Sequence, residues 1–184
     1  MQGRRDDDDS GTAGRFRALA LPHLDEVYTL ARHLLRDAAD ADDATQDCFL
    51  RALRHFETFR GDDIRPWLFA ILRNVCRGAR QPSREVGVAD EPTDDAAPLW
   101  SDARETPEGE MLRRRDADAV RALVDALPLA FREVIVLREI NDLSYREIAE
   151  IVGVPVGTVM SRLARGRALL RTAWLGADQK EQTP

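Results

Sequence analysis

Arg162, Arg165, Arg167 and Arg171 lie in a stretch with no acidic residue between Glu150 and Asp178. A second acid-free stretch, between Asp63 and Glu85, holds Arg73, Arg77, Arg80 and Arg84. Guanidinium groups repeated at this spacing suit phosphate oxygens and guanine edges, so the chemistry on offer is recognition of nucleic acid. The same residues on an ordinary helical hairpin would only be hydrated, and the pattern around them has to separate the two readings. Groups for bond-breaking chemistry are poorly arranged. His23, His33 and His55 have no Cys or His at metal-ligating spacing, Ser161 has no evident base, and Gly153, Gly157 and Gly166 do not form a phosphate loop. Cys48 and Cys76 are not in a Cys-x-x-Cys pair, so they read as buried thiols in a reducing compartment. The expectation is a protein that is not an enzyme and needs no cofactor or metal.

The 184 residues are 43% hydrophobic and 33% charged but only 6% aromatic, and Ala, Leu, Arg, Glu and Asp dominate. This favours helices. The expected architecture is all-α, with two small helical domains joined by a flexible acidic linker. The divisions are a disordered tail (1–14), an N-terminal helical domain (15–81), the linker (82–115), a C-terminal domain (116–175) and a short tail (176–184). The formal charge is −6, yet residues 85–110 alone carry nine acids against the single base Arg104. Acidity is thus concentrated in the linker, and the flanking blocks are near neutral with basic islands. As a flexible coil the linker would let the blocks work at separate places. The longest apolar run, Trp67 to Leu72, is too short to cross a bilayer, and the expected location is the cytoplasm with no direct membrane insertion.

Within the first block, Leu24, Val27, Tyr28, Ala31, Leu34 and Leu35 repeat at helical spacing after Pro22. A second helix runs from about Asp40 to His55, and a third from about Ile64 to Arg80 carries the apolar stripe Ile64, Trp67, Leu68, Ile71, Leu72 and Val75. That stripe makes Trp67 a core residue in preference to a base-stacking one. In the second block, one helix covers 118–127 and another opens at Pro128 and closes at Asn141-Asp142. Ser144 and Glu147 match a capping box, Gly153 supplies a reversal, and Pro155 stands where its missing N–H is harmless. A capped short helix, a glycine turn and a further helix to about Trp174 make a helix-turn-helix, whose second member enters the major groove. On that member Val156, Val159, Leu163, Leu170 and Trp174 share the side expected to face the core. Gly157, Ser161, Ala164, Arg165 and Ala168 lie opposite, flanked by Thr158, Arg162 and Arg171, with Arg167 nearer the core boundary.

The segment LSYREIAEIVGVPVGTVMSRLARGRALL closely resembles the promoter-recognising C-terminal domain of extracytoplasmic-function (ECF) sigma factors of bacterial RNA polymerase. DADDATQDCFLRALRHFETF is similar to that family's polymerase-binding helix, and FRGDDIRPWLFAILRN to its promoter-melting segment. The resemblance implies that Asp43, Gln46, Asp47 and Leu53 dock on the coiled-coil clamp of the largest polymerase subunit. It implies that the loop Phe59, Arg60, Gly61, Asp62, Asp63 captures a base flipped from the −10 element, with Asn74 contacting a base and Arg73, Arg77 and Arg80 contacting phosphates. Gly157, Thr158, Ser161, Arg162, Ala164, Arg165 and Arg171 would read the −35 element. The implied partners are core RNA polymerase, promoter DNA and an anti-sigma factor. Asp47, where the family often has Glu, and Ala44, where a larger aliphatic is common, depart from the pattern.

The alternative is a stand-alone helix-turn-helix regulator whose N-terminal block binds an effector or dimerises. Such a block has no need of the arginine run that follows WLFAILRN. An acidic chain gains little from phosphate neutralisation on its own, and two weak modules become strong when a scaffold fixes their spacing. The acidity therefore suits a subunit better than a solitary duplex binder. By the same resemblance, the linker acids would lie near the polymerase RNA exit path.

Overall fold

Asp37 caps the helix Ala38–Arg54 by accepting hydrogen bonds from the backbone N–H groups of Ala39 (2.8 Å) and Asp40 (3.1 Å). These are donors that no helical carbonyl reaches. The computed structural model describes residues 3–79 and 119–181, and every described element is helical. The linker expected over 82–115 lies outside the described residues. The elements are α1 (Gly3–Ala20), a 3-10 turn (Leu21–His23), α2 (Leu24–Leu35), α3 (Ala38–Arg54) and α4 (Arg65–Ala79). After them come α5 (119–126), α6 (Leu129–Ile135) continued by a π-helical turn (Val136–Ile140), α7 (Tyr145–Val152) and α8 (Val156–Glu181).

The tail expected over 1–14 is instead helical from Gly3. The far end of α1 is anchored by Phe16, whose ring packs edge-on against Phe56 (5.3 Å) and Phe49 (6.3 Å). Residues 176–181, expected as tail, continue α8.

α2, α3 and α4 pack together because each buries a small or aliphatic stripe. On α3 the buried side is Ala41, Ala44, Thr45, Cys48 and Ala52, small enough to let α4 approach closely. From α4 come Leu68, Phe69, Leu72, Val75 and Cys76, preceded by Ile64. Phe69 lies outside the expected stripe and is fully buried because α4 has neighbours on several sides, α2, α3 and α7. Trp67 is half-buried against the ring of Phe59 (5.5 Å), in agreement with its core reading.

In the second block α6, α7 and α8 enclose Val134, Ile135, Leu137, Leu143, Ile148 and Leu163. Arg138 braces the turn before α7, donating to the carbonyl of Leu143 (2.8 Å) and lying over the Tyr145 ring (5.4 Å). The two blocks touch. α7 lies on α4, α6 lies on α2, and side chains bridge them. The linker was expected to let the blocks work at separate places; here they meet, with Arg73 paired to Glu133, His33 hydrogen-bonded to Asp125 and Arg36 donating to the Asp125 carbonyl.

Candidate nucleic-acid interface

The helix-turn-helix forms as its residues dictate. Ser144 Oγ accepts from the Glu147 N–H (3.3 Å), while the Glu147 carboxylate accepts from the Ser144 N–H (2.7 Å), completing the capping box. Gly153 ends α7 at φ 70°, a left-handed conformation that favours glycine, and its N–H returns to the Ala149 carbonyl (2.8 Å). Val159 and Leu163 then fix one side of α8 in the core. Gly166 completes that side: a Cβ there would stand 2.9 Å from Ile135 Cγ1, so α6 and α8 touch through the missing side chain.

This core side is narrower than expected. Val156 is 41% exposed and Trp174 39%, so neither belongs to the core, and Leu170 is only partly buried. α6 covers α8 around Gly166, and the periodicity that placed Val156 and Trp174 with the core carries no information on where that cover stops. Arg167 reaches Glu139 (2.7 Å), fitting its place at the core boundary. Gly157 and Arg171 are exposed, while Thr158, Ser161, Arg162, Ala164 and Arg165 are half-buried along the flank opposite Leu163. Ser161 Oγ donates to the Thr158 carbonyl (3.1 Å), which holds that hydroxyl along the helix.

Before α4, Phe59 is stacked on Phe56 (6.2 Å, planes 12° apart) and tilted against Trp67, so its ring is held within an aromatic cluster. Arg60 curls back onto the carbonyls of Glu57 and Phe59. Gly61 takes φ 139° and leaves Asp62 exposed at the tip. Asp63 accepts from the Arg65 N–H (2.9 Å) and pairs with the Arg65 guanidinium (3.1 Å), which also approaches Glu26 (3.6 Å). Farther along α4, Asn74 and Arg77 are exposed. Arg73 is not: its Nε meets Glu133 Oε1 at 2.5 Å. Arg80 lies outside the described residues.

On α3, Asp43, Gln46 and Asp47 share the solvent face with Leu50 and Leu53, opposite the alanine stripe. Leu50 is 54% exposed and Leu53 41%. An open groove beside them is walled by Phe16, Leu21, Leu24, Phe49, Leu50 and Leu53. Asp47 pairs with Arg51 (2.8 Å), and its hydrogen bond and charge raise the affinity of that guanidinium for its proton. Leu50 was missed in the sequence, although its three-residue step from Asp47 on an otherwise polar face signals it. The thiol of Cys48, beneath this face, is pushed up to about 12 by burial and is unreactive. No cluster of metal-binding side chains occurs among the described residues.

Family matches to both helical blocks give the class, a sigma factor of the sigma-70 type. The sigma-70 region 2 family matches residues 19–81, and sigma-70 region 4 matches residues 117–170. Among curated relatives, the RNA polymerase sigma-H factor of Pseudomonas aeruginosa is 34% identical over 89% of this chain and 88% of its own. The ECF RNA polymerase sigma-E factor of Escherichia coli K12 is 32% identical over 85% of each. Solved CnrH, in complex with the cytosolic domain of CnrY, shares 28% identity with a TM-score of 0.63, covering 92% of this chain and 93% of that one. The Bartonella quintana sigma factor RpoE, in complex with the anti-sigma factor NepR, shows the same fold at 24% identity and TM-score 0.63, covering 86% and 95%. The chain belongs to the ECF sigma factor family.

Proposed function

We propose that this chain binds core RNA polymerase through the exposed face of α3, and that α8 and the loop and helix at 59–80 give the enzyme its promoter. Asp43, Gln46 and Asp47 supply charge and hydrogen bonding on α3, and Leu50 and Leu53 supply apolar area. The −35 element is read by Gly157, Thr158, Ser161, Arg162, Ala164, Arg165 and Arg171. Small residues there admit a base edge, and arginines contact guanine or phosphate. The −10 element is taken by Gly61, Asp62, Asn74, Arg77 and Arg80. Phe59 supports the loop by packing on Phe56, so its ring positions Gly61 and Asp62. Extruding a base costs a few kcal/mol, which polymerase contacts elsewhere must offset.

The observation that carries this reading is the division of α8, with Val159, Leu163 and Gly166 locked in the core while the Gly157 to Arg171 flank stays accessible. The functional division follows the residues: 15–81 for polymerase and the −10 element, 82–115 as connector, 116–175 for the −35 element. The chain performs no chemistry of its own and works in the cytoplasm, where its polymerase is. No described helix is long and apolar enough to cross a membrane. An anti-sigma protein is the expected regulatory partner, a reading supported by the similarly folded RpoE, solved in complex with the anti-sigma factor NepR.

Purified core polymerase supplied with genomic DNA and this chain tests the assignment. Transcripts that require the chain and share a two-part upstream motif are expected. Their absence removes the sigma reading and leaves the stand-alone regulator.

A further inference from the structure

Met160 is 50% exposed and Val156, one turn before it, is 41% exposed, although both belong to the stretch of α8 whose other side is locked in the core. Val159 and Leu163 are buried, and at about 100° per residue they fix the rotation of α8 so that Met160 stands on the outside. Gly157 lies three residues before Met160 and Ala164 four residues after it, so both are its neighbours on the helix surface. A Cβ at Gly157 would meet nothing within 4 Å, which leaves the space beside Met160 open on that side. Val156, Met160 and Ala164 thus form an apolar row along the opening turns of α8. Arg171, also exposed, continues the same side farther along.

We infer that Met160 is a specificity-determining residue, which selects thymine in the −35 element by packing its side chain, with Val156 beside it, against the C5 methyl group. The inference rests on the −35 reading of α8, which gives Gly157, Ser161 and Ala164 to base edges; a base edge that approaches Gly157 and Ala164 also meets Met160. Neither Met160 nor Val156 has a hydrogen-bond donor in its side chain, and a thioether sulfur is a weak acceptor, so the row adds little to hydrogen-bonded readout of the major groove. What it matches is the thymine methyl, the apolar group that this groove presents. The residue type fits the task, because the unbranched, polarizable methionine chain adapts to a methyl group whose place varies with the local shape of the duplex. The position fits as well. Met160 lies in the N-terminal part of α8, the end of a recognition helix that reaches base edges, while Arg171 lies beyond, where phosphates are met. The stretch from Glu150 to Asp178 has arginines and no acid between its ends, so the occupant whose charge complements this side is a polyanion.

The test uses core polymerase loaded with the full chain and a promoter duplex chosen from mapped transcript starts. Each thymine in either strand of the upstream motif is replaced singly by deoxyuridine, which removes the C5 methyl and leaves the base pair intact. Affinity is measured for the unaltered chain, for Met160→Ala, for Met160→Leu and for Arg171→Ala. For the unaltered chain, loss of the methyl at one or two neighbouring thymines is expected to weaken binding by about three- to five-fold, the worth of one buried methyl group. Met160→Ala should bind the natural promoter more weakly and no longer distinguish thymine from deoxyuridine at those positions. Met160→Leu keeps apolar bulk and should keep the distinction, and Arg171→Ala should weaken both duplexes alike. An upstream motif in which no thymine methyl matters overturns the inference, as does a distinction that survives unchanged in Met160→Ala. Polymerase-dependent transcription by the unaltered chain is scored first, so methyl readout can fail while the sigma assignment stands, and loss of transcription identifies the opposite failure.

Discussion

Gly166 and Gly157 lie on the same helix and respond oppositely to one methyl group. A Cβ at Gly166 meets Ile135 Cγ1 at 2.9 Å and Cδ1 at 3.2 Å, whereas at Gly157 it meets nothing within 4 Å. Gly166→Ala is expected to lower unfolding free energy by about 1–2 kcal/mol, since overpacking exceeds the gain in helix propensity. Gly157→Ala is expected to raise it by about 0.5–1 kcal/mol. Urea denaturation of both variants checks the pair, and two shifts of the same sign would contradict the α6–α8 packing. Cys48 gives a pH signature. Its thiol keeps its proton to about 12 in the folded chain, against an ordinary value of 9.0. The unfolded chain therefore ionises first, so this contribution is intact below pH 9 and is lost as pH rises toward 12, by up to about 1.4 kcal/mol per pH unit. Between pH 8 and pH 10 the wild type should lose about 1 kcal/mol more than Cys48→Ala in parallel urea titrations.

At the scale of elements, the helix-turn-helix depends on its cap and its reversal. Ser144→Ala removes the acceptor for the Glu147 N–H and is expected to cost about 1 kcal/mol, read as a lower thermal midpoint. On α3 the expectation is different. Leu50→Asp changes a residue 54% exposed, so the midpoint should stay within error while affinity for core polymerase, measured by competition, falls at least ten-fold. Equal affinity would remove Leu50 from the docking face. These elements were legible because their signals are local: the stripe of α4, the Ser144 and Glu147 spacing, the glycine at 153. Phe69, Val156 and Trp174 were misjudged for one reason. Which side of a helix is covered, and how far, is set by its neighbours, and α7 and α6 supply or withhold that cover. The helical course from Gly3 was hidden because the clue, an acidic run without apolar partners, fits a tail as well as a helix N-terminus.

Across the whole molecule, charge placement explains what net charge does not. A chain at −6 concentrates its excess of acid in residues 85–110, and in the packing of the two blocks Glu133 serves as an internal partner for Arg73. None of the bridges between blocks was legible beforehand, because Arg73 with Glu133 and His33 with Asp125 are brought together by tertiary packing alone. The candidate promoter residues were legible as an arginine pattern, but which of them are free was not. The account requires faces that are weak alone and effective on a scaffold. The direct measurement is anisotropy of a duplex promoter, chosen from mapped transcript starts, with this chain, with core polymerase and with both at physiological ionic strength. Tight, sequence-selective binding only when both are present is predicted, and tight selective binding by the chain alone would contradict it.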